Sequence, residues 1–226
     1  MKVISKILTV SLIFLSLPTH GVLDIKITQG IEQSLPIAIV PFGWSKYNAD
    51  ISIDVTKIIT DNLKRSGRFD VMDELDLPQQ PTEFGAINFN DWRKLGMENI
   101  LIGNLTLTAN GHYDVSFRLI DIYRGKQIAG FRIPTKPNLL RRVAHQISDI
   151  VFKKLTGTAG AFDTRVAYIT VKKIKDKKIH MLQIADADGY NQQVLLKSSE
   201  PLLSPAWSPN GKEIAYVSFE GKNSAI

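Results

Sequence analysis

The chain has 226 residues, enough for one or two domains with a substantial hydrophobic core. It contains no cysteine, which excludes a disulfide scaffold, a thiol nucleophile and a metal centre with cysteine ligands. The 28 basic and 22 acidic residues give a formal charge of +6, which is too mild to indicate nucleic-acid binding by itself.

The N-terminal residues have the pattern of a secretory signal peptide. Two lysines precede the apolar run Ile7–Leu17, which is too short to span a bilayer, and small residues follow at Thr19 and Gly21. We therefore predict a signal peptide over residues 1–21, cleaved between Gly21 and Val22, and a mature chain without stable membrane insertion. The absence of cysteine permits a bacterial periplasm as its location.

Residues 22–158 are predicted to form an α/β domain, a mixed sheet with two long helices. Leu23, Ile25 and Ile27 alternate with polar residues, as in a strand with one buried face. The continuous apolar core of residues 35–44 indicates a strand buried on both faces. Further strands are predicted at residues 69–71, 99–108, 113–123 and 127–133, and helices at residues 50–67 with Asp50 as N-cap, 90–95 and 138–155.

Residues 159–226 are predicted to form an incomplete all-β propeller. Four strand patterns follow one another without a helix, the last being the hairpin Ser204–Ser218 with its turn at Pro209–Lys212. At about 40 to 50 residues for each four-stranded blade, this part amounts to roughly one and a half blades. Trp207 and Tyr216 are expected to pack between blades.

The sequence carries no recognisable catalytic, nucleotide-binding or metal-binding motif. His112, His145 and His180 are scattered and are expected to be surface or hydrogen-bonded structural residues. Asp186–Gly189 is predicted as a hairpin turn, because the later ligands of a calcium loop are absent. Lys172–Lys178 is predicted as a solvated loop between strands. We therefore expect neither an enzyme nor a cofactor or metal site.

Five stretches, in order along the chain, resemble the TolB family of periplasmic Tol-Pal proteins. They are "PIAIVPFGW" at 36–44, "LPQQP" at 77–81, "WRKLGMENILIGNL" at 92–105, "KLTGTAGAFDTRVAYIT" at 154–170 and "DADGYNQQVLLKSSEPLLSPAWSPNGKEIAYVSFEGKNSA" at 186–225. The chain departs from the family at Asn210, where the repeat usually has aspartate, and in length, because the family has a closed six-bladed propeller.

The resemblance implies a non-enzymatic scaffold that links inner-membrane TolA to outer-membrane Pal. It implies roles in outer-membrane integrity, in envelope constriction during division and in colicin uptake. Pal would bind the propeller, and binding is expected to be lost in a chain that stops in its second blade. TolA would bind the N-terminal segment, whose residues are Val22, Leu23, Asp24, Ile25, Lys26, Ile27, Thr28, Gln29, Gly30, Ile31, Glu32 and Gln33.

The alternating pattern of that segment suits the addition of a strand to a partner's sheet edge, although a permanent edge strand has the same pattern. Two alternatives for the whole chain stay open. One is the N-terminal portion of an exported serine peptidase of the prolyl-oligopeptidase type, which needs a GxSxG-bearing domain further along. The other is a periplasmic ligand-binding propeller.

Overall fold

The structure is a computed structural model that describes residues 34–45, 53–221 and 223–226. Its helices are α1 (Val55–Arg65), α2 (Phe89–Lys94) and α3 (Leu140–Thr156). The strands of the first part are β1 (Leu35–Ile39), β2 (Gly43–Ser45), β3 (Phe69–Val71), β4 (Asn99–Leu107), β5 (Tyr113–Asp121) and β6 (Lys126–Thr135). Those of the second part are β7 (Arg165–Ile174), β8 (Lys177–Asp186), β9 (Gln193–Ser198), β10 (Leu202–Trp207) and β11 (Ile214–Ser218).

The first part is built on a mixed sheet with the strand order β3-β1-β4-β5-β6. β1 is parallel to both neighbours, whereas β4, β5 and β6 are antiparallel. The chain leaves β1 at Val40, passes Pro41 and pairs again with β4 as β2. Ile37, Ala38 and Ile39 are buried, as expected for a central strand covered on both faces.

Helices cover both faces of this sheet. α1 and α3 pack on one face over the larger core, which includes Ile59, Leu101 and Ile147. α2 covers the other face with Trp92, which is fully buried against Ile100 and neighbouring apolar residues. The predicted α/β domain is thus confirmed as a mixed sheet with helices.

The start of α1 differs from the prediction, because Asp54 and not Asp50 is its N-cap. Asp54 has an extended backbone, and its Oδ1 accepts a hydrogen bond of 2.9 Å from the backbone N–H of Lys57. Asp50 lies outside the described residues. The predicted end is confirmed, since Ser66 is the C-cap and Gly67 follows with a φ of +67°.

The second part consists of propeller-type strands in two antiparallel sheets, β7-β8-β9 and β10-β11. These sheets do not close into a ring within the part of the chain that the structure describes. The fold class predicted from the sequence is therefore confirmed. No helix among residues 34–45, 53–221 and 223–226 is long and apolar enough to cross a membrane.

The prediction that Lys172–Lys178 is a loop is wrong. β7 continues through Ile174, β8 begins at Lys177, and only Lys175 and Asp176 form the turn. The two strands remain paired to their ends, with Lys173 opposite Lys178 and Ile174 opposite Lys177. All residues of this hairpin end are exposed, so its predicted solvation is confirmed.

Candidate functional site

The partner segment predicted from the sequence, Val22–Gln33, and the cleavage position between Gly21 and Val22 lie outside the described residues. Within the described part, the polar groups concentrate elsewhere, where helix α3 meets the turn after strand β8. We call this contact the junction; its main residues are Asn62, Arg141, His145, Asp186, Asp188 and Tyr190.

The β8–β9 turn carries the side chains that meet α3. The turn is closed by a backbone hydrogen bond of 2.8 Å from Gly189 to Asp186, and Gly189 has a φ of +84° that suits glycine. Asp188 points to the first turn of α3, where its Oδ2 accepts from Nη2 of Arg141. The Arg141 guanidinium also lies 3.9 Å from the centroid of the Tyr190 ring. One arginine thus contacts two residues of the turn.

His145 lies one helical turn beyond Arg141 and is 3% exposed. Its Nδ1 is 2.9 Å from Nδ2 of Asn62 on α1. Oδ1 of Asn62 accepts from Arg65, and its Nδ2 also donates to Ser148, so the orientation of the amide is fixed. Because an amide nitrogen only donates, Nδ1 of His145 must accept, and the ring proton must be on Nε2.

This Nε2 faces the propeller part, 3.6 Å from Oδ2 of Asp188, and has no hydrogen-bond partner among the described residues. Burial of the ring lowers the pKa of His145 below its ordinary value of 6.5, and the Arg141 guanidinium lowers this pKa further. The carboxylates of Asp186 and Asp163 act in the opposite direction. The ring is therefore held neutral.

His145, Asp186 and Asp188 lie close enough together to offer three ligand atoms to a metal ion. The surrounding contacts favour a different role. Asp188 already bonds to a guanidinium, and Asn62 directs the histidine proton onto Nε2, the atom that would have to bind the metal. We therefore assign the group to an ion-paired contact between the two parts of the chain.

The connection after α3 is held to that helix by hydrogen bonds. The carboxylate of Asp149 accepts from the backbone N–H of Phe162, at 2.8 Å, and from that of Asp163, at 3.0 Å. Asp163 in turn accepts from Arg142 and Gln146 of α3. The chain therefore reaches β7 at a defined place beside α3.

A cleft of 790 Å³ runs along the junction. Its lining includes Arg141, His145, Asp163, Arg165, Asp186 and Asn210. Arg165, at the start of β7, lies with its guanidinium 5.0 Å from the Trp207 ring and so contacts the β10–β11 hairpin. The expectation that Trp207 packs between propeller sheets agrees with this contact.

The sequence contained one signal for the junction that the prediction missed. Asn62 falls on the apolar face of α1, and His145 and Ser148 fall on the apolar face of α3. Polar residues on the apolar face of a helix need hydrogen-bond partners when they are buried, and here they bond to one another. The partner in the β8–β9 turn could not be found this way, because Arg141 and Asp188 are 47 residues apart.

An α/β domain followed by propeller-type strands, joined through a polar contact, defines the class of two-part proteins with a propeller module. Residues 23–128 match the sequence model of the TolB amino-terminal domain, and residues 152–226 match that of the TolB beta propeller domain. The chain belongs to the TolB family.

Individual relatives agree with this assignment. The Tol-Pal system protein TolB of Thioalkalivibrio sulfidiphilus is 45% identical over 217 residues, covering 95% of this chain and 50% of the relative. That of Hydrogenovibrio crunogenus is 43% identical, covering 93% and 49%. The crystal structure of TolB from Acinetobacter baumannii matches with a TM-score of 0.74 and 34% identity, covering 85% of this chain and 46% of that one. The chain thus spans about half the length of these relatives.

Proposed function

We propose that the chain acts as a non-enzymatic periplasmic scaffold of the Tol-Pal system, linking TolA to Pal. In this role it supports outer-membrane integrity and envelope constriction during cell division. The observation that carries the proposal is the match to both TolB domain models, in order, on the two structural parts of the chain.

The chain is divided in this proposal into a signal peptide of residues 1–21, an α/β domain of residues 22–158 and a propeller part of residues 159–226. TolA binds the segment Val22–Gln33, whose apolar residues Leu23, Ile25 and Ile27 alternate as in a strand. Such a segment adds to the edge of a partner's sheet through main-chain hydrogen bonds, with alternate side chains giving specificity. Pal binds a propeller surface that is shared among several blades, so residues 159–226 alone are not expected to bind it.

The chemistry of the junction supports a scaffold over an enzyme. Three of its ionisable side chains are engaged in structural contacts, namely Arg141 and Asp188 in an ion pair and His145 in a hydrogen bond with Asn62. Interfaces of this polar kind, between parts of one chain, allow relative movement more readily than an apolar core does. A junction of this kind suits a protein in which occupancy of one partner site affects the other.

A calorimetric titration with the periplasmic domain of TolA tests the proposal. Two chains are compared, one beginning at Val22 and one beginning at Ser34, which keeps β1 and all later elements. We expect the first to bind and the second not to bind. Equal binding by both chains, or binding by neither, contradicts the assignment of the TolA site.

A further inference from the structure

The end of the β7–β8 hairpin is a basic projection that no part of the proposed function uses. We call residues 171–179 the lysine hairpin. The stretch Lys172–Lys178 holds five lysines and one aspartate in seven residues, a net charge of +4. None of these lysines belongs to an ion pair within the described part of the chain.

The lysine hairpin projects beyond its own sheet. β9 pairs with β8 only from His180 to Ile184, so the strand ends that carry the lysines have no third strand beside them among the described residues. β8 runs from Lys177 at the hairpin end to Asp186 at the junction. At about 3.3 Å per residue this places the lysines roughly 30 Å from the α3 contact, at the opposite end of the strand.

The charges of the lysine hairpin repel one another in the isolated protein, which is unfavourable. Lys173 and Lys178 are directly opposite each other across the ladder, where like charges repel. Two aliphatic side chains are exposed among the lysines, Val171 at 54% and Ile174 at 46%. An anionic surface that also accepts apolar side chains would reduce the repulsion between the lysines and would cover exposed aliphatic groups.

We propose that the lysine hairpin binds the surface of a membrane containing anionic phospholipid. Lysine ammonium groups interact with the phosphates as point charges, while Ile174, which shares one face of the hairpin with Lys172 and Lys177, enters the boundary between headgroups and acyl chains. The same stretch contains no arginine, the residue that recognises carboxylates in bidentate geometry. It also contains no aromatic residue on which bases stack. These features favour a lipid surface over an acidic protein or a nucleic acid.

Co-sedimentation of the full chain with vesicles tests the proposal. One set of vesicles contains phosphatidylglycerol and phosphatidylcholine at about 30:70, and the other contains phosphatidylcholine alone. All variants carry the same N-terminal apolar run, so differences in vesicle binding between them measure the contribution of the hairpin. We expect a preference for the anionic vesicles that decreases as salt screens the charges.

Lys173→Glu with Lys178→Glu should weaken binding to the anionic vesicles at least ~10-fold, because the net charge of the stretch 172–178 then falls from +4 to 0. Lys153→Glu with Lys154→Glu makes the same change of charge in the last turn of α3 and should leave most of the preference intact. Ile174→Ser keeps all charges and should weaken binding by a smaller factor. Circular dichroism confirms that each variant is folded.

Three results would overturn the proposal. One is an equal loss in the two double variants, which would mean that only net charge matters. The second is the absence of a preference for anionic vesicles. The third is binding to polyglutamate that the Lys173→Glu and Lys178→Glu changes abolish while vesicle binding is unaffected, which would assign the hairpin to an acidic protein partner.

Discussion

Asn62 on α1 donates a hydrogen bond to Nδ1 of His145 on α3 at 2.9 Å, and both side chains are buried. The same amide donates to Ser148 and accepts from Arg65. Asn62 therefore joins the two long helices and fixes the tautomer of the histidine that faces the propeller part.

Replacing Asn62 by alanine should lower the free energy of unfolding by about 1–3 kcal/mol, because buried donors and acceptors lose their partner. Urea denaturation followed by tryptophan fluorescence, to which the buried Trp92 contributes, measures the change. Asn90→Ala, on the exposed side of α2, is the matched control and should change stability little. A loss of the same size in both variants would mean that the buried network contributes nothing of its own.

His145 should make the protein less stable in mild acid. Its pKa is lowered in the folded state, so the unfolded chain binds the proton more tightly. Its contribution is fully present above the ordinary pKa of 6.5 and is lost as the pH falls from that value towards the lowered one. Denaturation at a series of pH values should show a smaller loss on acidification in His145→Gln than in the parent.

The control for this pH series is His112→Gln, a change at the β4–β5 turn, away from the junction. It should lose stability on acidification as the parent does. If His145→Gln also follows the parent through the range below 6.5, burial of the neutral ring is not what makes the junction sensitive to acid.

Arg141 and Asp188 should hold the propeller part against α3. Their side chains are only 21% and 13% exposed, so removing either partner leaves a poorly solvated charge. Arg141→Ala or Asp188→Ala should cost about 1–3 kcal/mol and should speed protease cleavage between residues 157 and 164. A double-mutant cycle should give a coupling energy clearly above zero.

Lys57→Ala is the comparison, because the side chains of Lys57 and its ion-pair partner Asp61 are 68% and 58% exposed. Exposed pairs contribute about 0–1 kcal/mol, so this variant should behave nearly as the parent does. Additive effects of the two junction changes would show that their contact does not attach the propeller part.

The sequence predicted the elements that depend on local patterns. Gly111 and Gly125 have positive φ at the turns that join β4, β5 and β6, which is why this meander could be predicted. The start of α1 was predicted at the wrong aspartate, because Asp50 and Asp54 both precede apolar residues in helical phase. The extended backbone of Asp54 and its side-chain hydrogen bond with Lys57 identify it as the cap.

The lysine hairpin and the junction show two further limits of prediction from the sequence. Lysine has a low strand propensity, but Val171, Ile174 and Ile179 keep the two strands paired to their ends. The contact of Arg141 with Asp188 joins positions far apart in the chain, and no local pattern encodes such a pair. The predicted partner segment Val22–Gln33 lies outside the described residues and stays a prediction.

Gly43 should not tolerate a side chain. A Cβ there would overlap Oδ1 of Asn104 and come within 2.7 Å of Cγ2 of Thr82. Asn104 donates to the Thr82 carbonyl at 3.0 Å and to Glu83 at 3.1 Å, so displacing it would loosen the segment that leads to α2.

Gly43→Ala should therefore destabilise the protein by about 1–3 kcal/mol in urea denaturation. Gly85→Ala is the matched control, because nothing lies within 4 Å of the added Cβ. That variant should be neutral or slightly stabilising. Equal stability of the two variants would show that Asn104 moves aside without cost.

The central claim is that TolA binds the apolar side of the segment Val22–Gln33. Its most direct test is a calorimetric titration of the TolA periplasmic domain into two double variants of the chain beginning at Val22. Leu23→Asp with Ile25→Asp changes the apolar side, and Asp24→Asn with Lys26→Gln changes the opposite side of the same strand pattern. We predict that the first variant loses binding and that the second retains it; equal binding by both would contradict the claim.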